Sequence, residues 1–186
     1  MALKLDKISV LVIEDTIPMR KLIVSVLESL GVTRIHTAND GAHGFSQYQK
    51  LNPDIIITDW LMEPVDGIEF IKMVRHHPSS THRTVPIIII TGYSAITRVI
   101  QARDQGVTEF LVKPFTANDL AKRLAYVINR PRDFVQTPHY FGPDRRRKTG
   151  EEYTAGPDRR KIAAKAQSGR IEVDFESTAT WDITTK

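Results

Sequence analysis

The chain has 186 residues, with 26 Lys and Arg against 22 Asp and Glu, a formal net charge of +4 and no cysteine. Disulfides and thiolate metal sites are therefore excluded. No apolar run approaches membrane-spanning length and the N-terminus carries no secretory apolar segment, so the sequence reads as a cytoplasmic protein with one ordinary domain and a polar extension.

In chain order, a first apolar run at residues 9–13 is followed by a helical pattern over about 18–30. Pro18 suits the first turn, Leu22, Ile23, Val26, Leu27 and Leu30 recur at helical spacing as a buried face, and Gly31 stops the helix. A weaker run at 34–38 precedes a helix at about 42–50, and a third run at 55–58 precedes one at about 67–75. His76, His77 and His82 then flank a Pro-Ser-Ser-Thr loop without ligand spacing and read as surface residues. A run at 86–90, a helix over 95–105 ended by Gly106, a run at 109–112 and a helix over 118–129, stopped before Pro131, complete the series. Short Val/Ile-rich runs alternating with helices predict an α/β fold, a parallel sheet covered on both faces, because each parallel crossover needs a helix.

Glu14, Asp15, Asp59, Thr91 and Lys113 each sit at or just past the C-terminal end of a run. Ligands bind open parallel sheets at that edge, where the strand order reverses. Three convergent carboxylates repel and raise one another's pKa unless a cation sits among them. An oxygen-only donor set suits Mg²⁺, with Mn²⁺ as a substitute, and one carboxylate can then act as a nucleophile towards a phosphoryl group while Lys113 and the Thr91 hydroxyl stabilise its oxygens.

The acidic pair Glu14-Asp15 after the first run, Asp59 after the third, Thr91-Gly92 after the fourth and Phe110-Leu111-Val112-Lys113-Pro114 after the fifth resemble, in that order and spacing, the response-regulator receiver domain of bacterial two-component systems. The resemblance covers about residues 5–130 and implies a doubly wound, flavodoxin-like five-stranded sheet of order 2-1-3-4-5. It implies further that Asp59 is the phosphoacceptor, that Glu14, Asp15, Asp59 and the backbone carbonyl of Leu61 hold the metal, and that Lys113 forms the salt bridge of the site. Thr91 and Phe110 become a switch pair, with the Phe110 ring partly exposed, and the bond before Pro114 becomes cis. Leu61, Gly92 and Tyr93 flank the phosphoryl group; Leu61 and Tyr93 are large and not acidic, so the phosphorylated form is expected to be long-lived. Pro64 falls one position later than in the common pattern, and Trp60 beside the acceptor should report metal binding by fluorescence.

On this reading the protein is a switch rather than a conventional enzyme, self-phosphorylating with Mg²⁺ and dephosphorylating slowly. A histidine kinase or a histidine phosphotransfer protein is its donor. A downstream protein reads the face of the fourth helix, fifth strand and fifth helix, with Thr97, Arg98, Gln101, Phe110 and Lys122 among the exposed candidates, and a phosphorylation-dependent dimer is admitted. An Asp-nucleophile phosphatase shares the carboxylate and lysine chemistry, but no insertion is large enough for a substrate cap.

Residues 131–186 contain no recognisable output domain and read as a flexible or docking tail. A near repeat places Gly-Pro-Asp before Arg145, Arg146 and Arg147 and again before Arg159, Arg160 and Lys161, fourteen residues on. Interspersed acidic residues argue against DNA as the main target, although a nucleic-acid-binding regulator acting through these clusters is the rival reading. The segment suggests docking on the receiver domain or on a partner, and Ile171-Glu172-Val173-Asp174-Phe175-Glu176 alternates as an added strand would.

Overall fold

The computed structural model describes residues 5–92, 96–138 and 140–146. Strands β1 (Ser9–Ile13), β2 (Arg34–Ala38), β3 (Ile55–Asp59), β4 (Ile87–Thr91) and β5 (Glu109–Val112) alternate with helices α1 (Ile17–Ser29), α2 (Gly41–Leu51), α3 (Gly67–His76), α4 (Ile96–Asp104) and α5 (Ala117–Asn129). All neighbours in the sheet pair in parallel, in the order β2-β1-β3-β4-β5. This is the doubly wound sheet that the sequence predicts.

The continuous apolar runs follow from burial on both faces. Alternate residues Val10, Val12, Ile55, Ile57, Ile88 and Ile90 pack with Ile23 and Leu27 of α1 and Leu120 and Leu124 of α5. Their neighbours Leu11, Ile13, Ile56, Ile87 and Ile89 pack with Phe45 and Tyr48 of α2 and Phe70, Ile71 and Val74 of α3. α5 starts in a reciprocal cap, the Thr116 hydroxyl accepting from the Asp119 N–H while the Asp119 carboxylate accepts from the Thr116 N–H. Of the described side chains of α4 only Ala102 is fully buried, and Ile100 is 41% exposed.

Three details differ from expectation. Leu22 is 50% exposed, because Ile23 and Leu27 set the buried direction of α1 and a residue adjacent to Ile23 lies about 100° around the helix from it. β4 starts at Ile87 rather than 86 and reaches Thr91, since Pro86 has no N–H to donate, although its carbonyl accepts from the Ile56 N–H at 3.0 Å. The third difference is larger. Part of the segment read as a tail is an antiparallel hairpin, β6 (Phe134–Thr137) and β7 (Tyr140–Pro143), within a compact unit that runs to Arg147.

Aromatic packing against arginine holds this hairpin. The Arg75 guanidinium lies 5.0 Å from the Phe134 ring centre and that of Arg83 lies 4.3 Å from Phe141, while the two rings are 5.7 Å apart. Arg132 donates to the carbonyls of Thr108 and Asp144, and Arg145 pairs with Asp104 at 3.0 Å. Neither Phe-Val-Gln-Thr nor Tyr-Phe-Gly-Pro alternates apolar and polar residues, so the sequence carries no strand signal here.

Candidate functional site

The strand order reverses between β1 and β3, and the two loops that leave them hold the acidic residues. Carboxylate oxygens of Glu14, Asp15 and Asp59 lie within 4.8 Å of one another. Glu14 is fully buried, Asp59 is 8% exposed and Asp15 faces solvent. Lys113, just past β5, places its Nζ 3.1 Å from Glu14 Oε2 and 3.0 Å from Asp59 Oδ1. Its backbone N–H donates to the Thr91 carbonyl at 2.7 Å, so the buried Thr91 and Lys113 are tied edge to edge. The Lys113–Pro114 peptide bond is cis, and so is Glu63–Pro64.

Neighbouring residues fix the acidic loop. The Thr16 N–H donates to Glu14 Oε1 at 3.2 Å and its hydroxyl to Asp15 Oδ1 at 3.1 Å. Arg20, one turn into α1, donates through Nη1 to the carbonyls of Glu14 and Asp15. Gly67 opens α3 directly beneath Asp59: its N–H donates to the Trp60 carbonyl, and a β-carbon there would lie 2.0 Å from the Asp59 carbonyl oxygen. Sequence reasoning did not mark Arg20 or Gly67. A lone basic residue and a helix-opening glycine carry no pattern until the loops fold over them.

Electrostatics of the cluster favour a cation. Burial, then the charge of Asp59, raise the pKa of Glu14 despite the opposing effect of Lys113. Burial likewise raises that of Asp59, with Lys113 pulling it down and Asp15 adding repulsion. Burial works against the charge of Lys113, but the hydrogen bonds and charges of Asp59 and Glu14 outweigh it and its pKa rises. One ammonium therefore faces three carboxylates, and burial raises the pKa of Glu14 and Asp59 among them. An all-oxygen donor set with residual negative charge fits Mg²⁺.

A pH dependence follows. Because the folded-state pKa of Asp59 lies above its unfolded value, its contribution to stability is full below the ordinary carboxylate pKa of about 4 and is lost as pH rises through the folded pKa. With a chelator present, Asp59→Asn should melt at a higher temperature than the native protein at pH 7, and the advantage should vanish as pH falls to about 4. Thermal melts at both pH values check this; an unchanged or lower melting temperature at pH 7 would contradict it.

The remaining predicted residues fall into three groups. Phe110 is 7% exposed rather than partly open, because alternation along β5 turns it into the cluster that contains Ile89 and Ala102. Trp60 is buried at 3% and Leu61, beside it, is 57% exposed; Gly92, Gln101 and Lys122 are exposed. Arg145 stacks 4.3 Å from the Tyr140 ring centre, and the Arg146 N–H donates to Asp144 Oδ1 at 3.0 Å. Tyr93, Arg147, Arg159, Arg160, Lys161, the 171–176 segment and the side chains of Thr97 and Arg98 lie outside the described residues.

Comparison with known proteins agrees with this geometry. Residues 10–125 match the model of the family described as the response regulator receiver domain. Chemotaxis protein CheY-3 of Vibrio cholerae is 31% identical over 121 residues, which cover 65% of this chain and 92% of the relative. Chemotaxis protein CheY1 of Helicobacter pylori is 34% identical over 122 residues, covering 63% and 94%. Among solved structures, the chemotaxis response regulator CheY4 of Vibrio cholerae is similar with a TM-score of 0.60 at 32% identity, covering 64% of this chain and 98% of that one. The receiver domain of Francisella response regulator 1452 has a TM-score of 0.60 at 27% identity, covering 67% and 98%. No described helix is long and apolar enough to cross a membrane.

Proposed function

Because the chain belongs to the response regulator receiver domain family, we propose that it is a two-component switch that accepts a phosphoryl group on Asp59 from a histidine kinase or a histidine phosphotransfer protein and thereby changes its affinity for a downstream protein. The observation that carries this reading is the Lys113 ammonium held between Asp59 and Glu14, at 3.0 and 3.1 Å.

Transfer from a phosphohistidine joins an Asp59 carboxylate oxygen to phosphorus and breaks the nitrogen–phosphorus bond, the leaving imidazole taking a proton. Glu14, Asp15 and Asp59, with the carbonyl of Leu61, would hold Mg²⁺, for which Mn²⁺ can substitute; the ion supplies positive charge to the transferring group. Lys113 is placed to neutralise the product, since it already contacts the acceptor oxygen. The Thr91 hydroxyl is the second group available to the phosphoryl oxygens. Phe110, buried in the cluster that contains Ala102 of α4, would pass their movement to the face made by α4, β5 and α5. The expected setting is the cytoplasm.

Acetyl phosphate in Mg²⁺ should label the native protein, and Asp59→Asn should remove the label. Label retained by Asp59→Asn at the native level would sink the proposal. Exposed Leu61 offers incoming water no carboxylate or amide, so the labelled native protein should lose its phosphoryl group more slowly than labelled Leu61→Asn.

A further inference from the structure

The hairpin lies outside the stretch that matches the receiver family, which ends at residue 125, and it docks on one corner of the domain. That corner is the end of α4 and the start of β5. Asp104 takes the ion pair from Arg145, and the Thr108 carbonyl accepts from Arg132 at 3.3 Å. Gly106 and Gly142 meet backbone to backbone: a β-carbon on Gly142 would lie 2.8 Å from the Gly106 Cα and 2.5 Å from the Tyr140 hydroxyl oxygen. The Gly106 carbonyl accepts from Arg75 at 3.0 Å, beneath the ring of Phe134.

Arg75 shows that the docking is held in balance. It is fully buried without a carboxylate partner among the described residues, and its Nη2 has no hydrogen-bond partner there. Two carbonyls, of Gly106 and Arg83, and one aromatic face are what it receives for losing water. An unpaired buried cation is costly, and here it opposes the aromatic burial that favours the docked hairpin.

We propose that the corner Asp104–Thr108 is a docking surface whose occupant is this chain's own residues 132–146, and that occupancy is linked to the state of the acidic site. The link runs through two elements. Among the described side chains of α4 only Ala102 is fully buried, and the ion pair at Asp104 adds a second hold at the end of the helix. β5 begins immediately after Thr108 and ends at Val112, next to Lys113, whose ammonium holds Asp59 and Glu14. An added dianion at Asp59 draws on the same Lys113 position that the docked corner supports. Docking and phosphoryl binding then favour each other, and the linkage is reciprocal.

The proposal rests on Asp59 being the phosphoacceptor. The test uses the full chain with Trp181→Phe, so that Trp60 is the only indole, and beryllofluoride with Mg²⁺ as the phosphoryl mimic. Gly142→Val should undock the hairpin, seen as faster amide exchange over residues 134–143, and weaken beryllofluoride binding about fivefold or more. In the native protein beryllofluoride should slow exchange of the same amides. If Gly142→Val does not fold, Arg145→Ala, which removes the ion pair with Asp104 and the contacts with Tyr140, should show both effects in smaller measure. Faster hairpin exchange with unchanged beryllofluoride affinity would overturn the coupling and leave the phosphoacceptor assignment standing. Loss of all beryllofluoride response in the native protein would instead remove the assignment itself.

Discussion

Alanine at Gly67 should destabilise the protein by about 3 kcal/mol and lower its Mg²⁺ affinity at least tenfold. The cause is a single methyl group. A β-carbon at this position would sit 2.0 Å from the Asp59 carbonyl oxygen, 3.1 Å from its carbonyl carbon and 3.2 Å from the Trp60 Cα. All three obstacles are backbone, so no rotamer change can relieve the contact. Either the start of α3 moves away, breaking the bond from the Gly67 N–H to the Trp60 carbonyl, or the backbone of the acceptor moves and takes its carboxylate with it. Urea unfolding reads the first effect and Trp60 fluorescence during Mg²⁺ titration the second. Native stability and metal affinity in Gly67→Ala would show that the loop after β3 yields more readily than its hydrogen bonds suggest.

Replacing Lys113 by Met should separate two properties that a general loss of structure would lower together. The variant removes one positive charge from a cluster of three carboxylates, so Mg²⁺ should bind more tightly than to the native protein. It also removes the cation that contacts the acceptor oxygen, so beryllofluoride binding at saturating Mg²⁺ should weaken about thirtyfold, the equivalent of about 2 kcal/mol for a charge-assisted hydrogen bond. The opposite signs are the diagnostic. If both affinities fell, Lys113 would be acting as a structural support for the loop rather than as the counter-ion of the phosphoryl group.

Much of this site was legible because strand ends are easy to locate in fully buried sheets. The runs of β1, β3 and β4 contain almost nothing but Val, Leu and Ile, so the polar residues that close each one, Thr58 with Asp59 in β3, mark the ligand-binding edge. Glu14, Asp59 and Thr91 were found in this way. Arg20 escaped because its bonds go to carbonyls, which no side-chain pattern announces. Gly67 escaped because the constraint is a close approach between segments eight residues apart rather than a turn. Phe110 was placed in the right strand but given too much exposure: alternation fixes which face a side chain takes, whereas the depth of cover depends on how closely α4 packs. The hairpin was missed for a different reason. Its strands are stabilised by Arg75 and Arg83 from elsewhere in the chain, and neither Phe-Val-Gln-Thr nor Tyr-Phe-Gly-Pro carries the alternation or the Val/Ile-rich run that marked the other strands.

The corner that receives the hairpin lies at the N-terminal ends of β4 and β5, and the acidic residues lie at the C-terminal ends of β1 and β3. A strand of five residues separates such ends by about 16 Å. A bulky phosphodonor seated over Asp59 therefore leaves the opposite pole uncovered. On the proposed function donor and hairpin do not compete for space, so the hairpin can stay docked while successive donors arrive and depart.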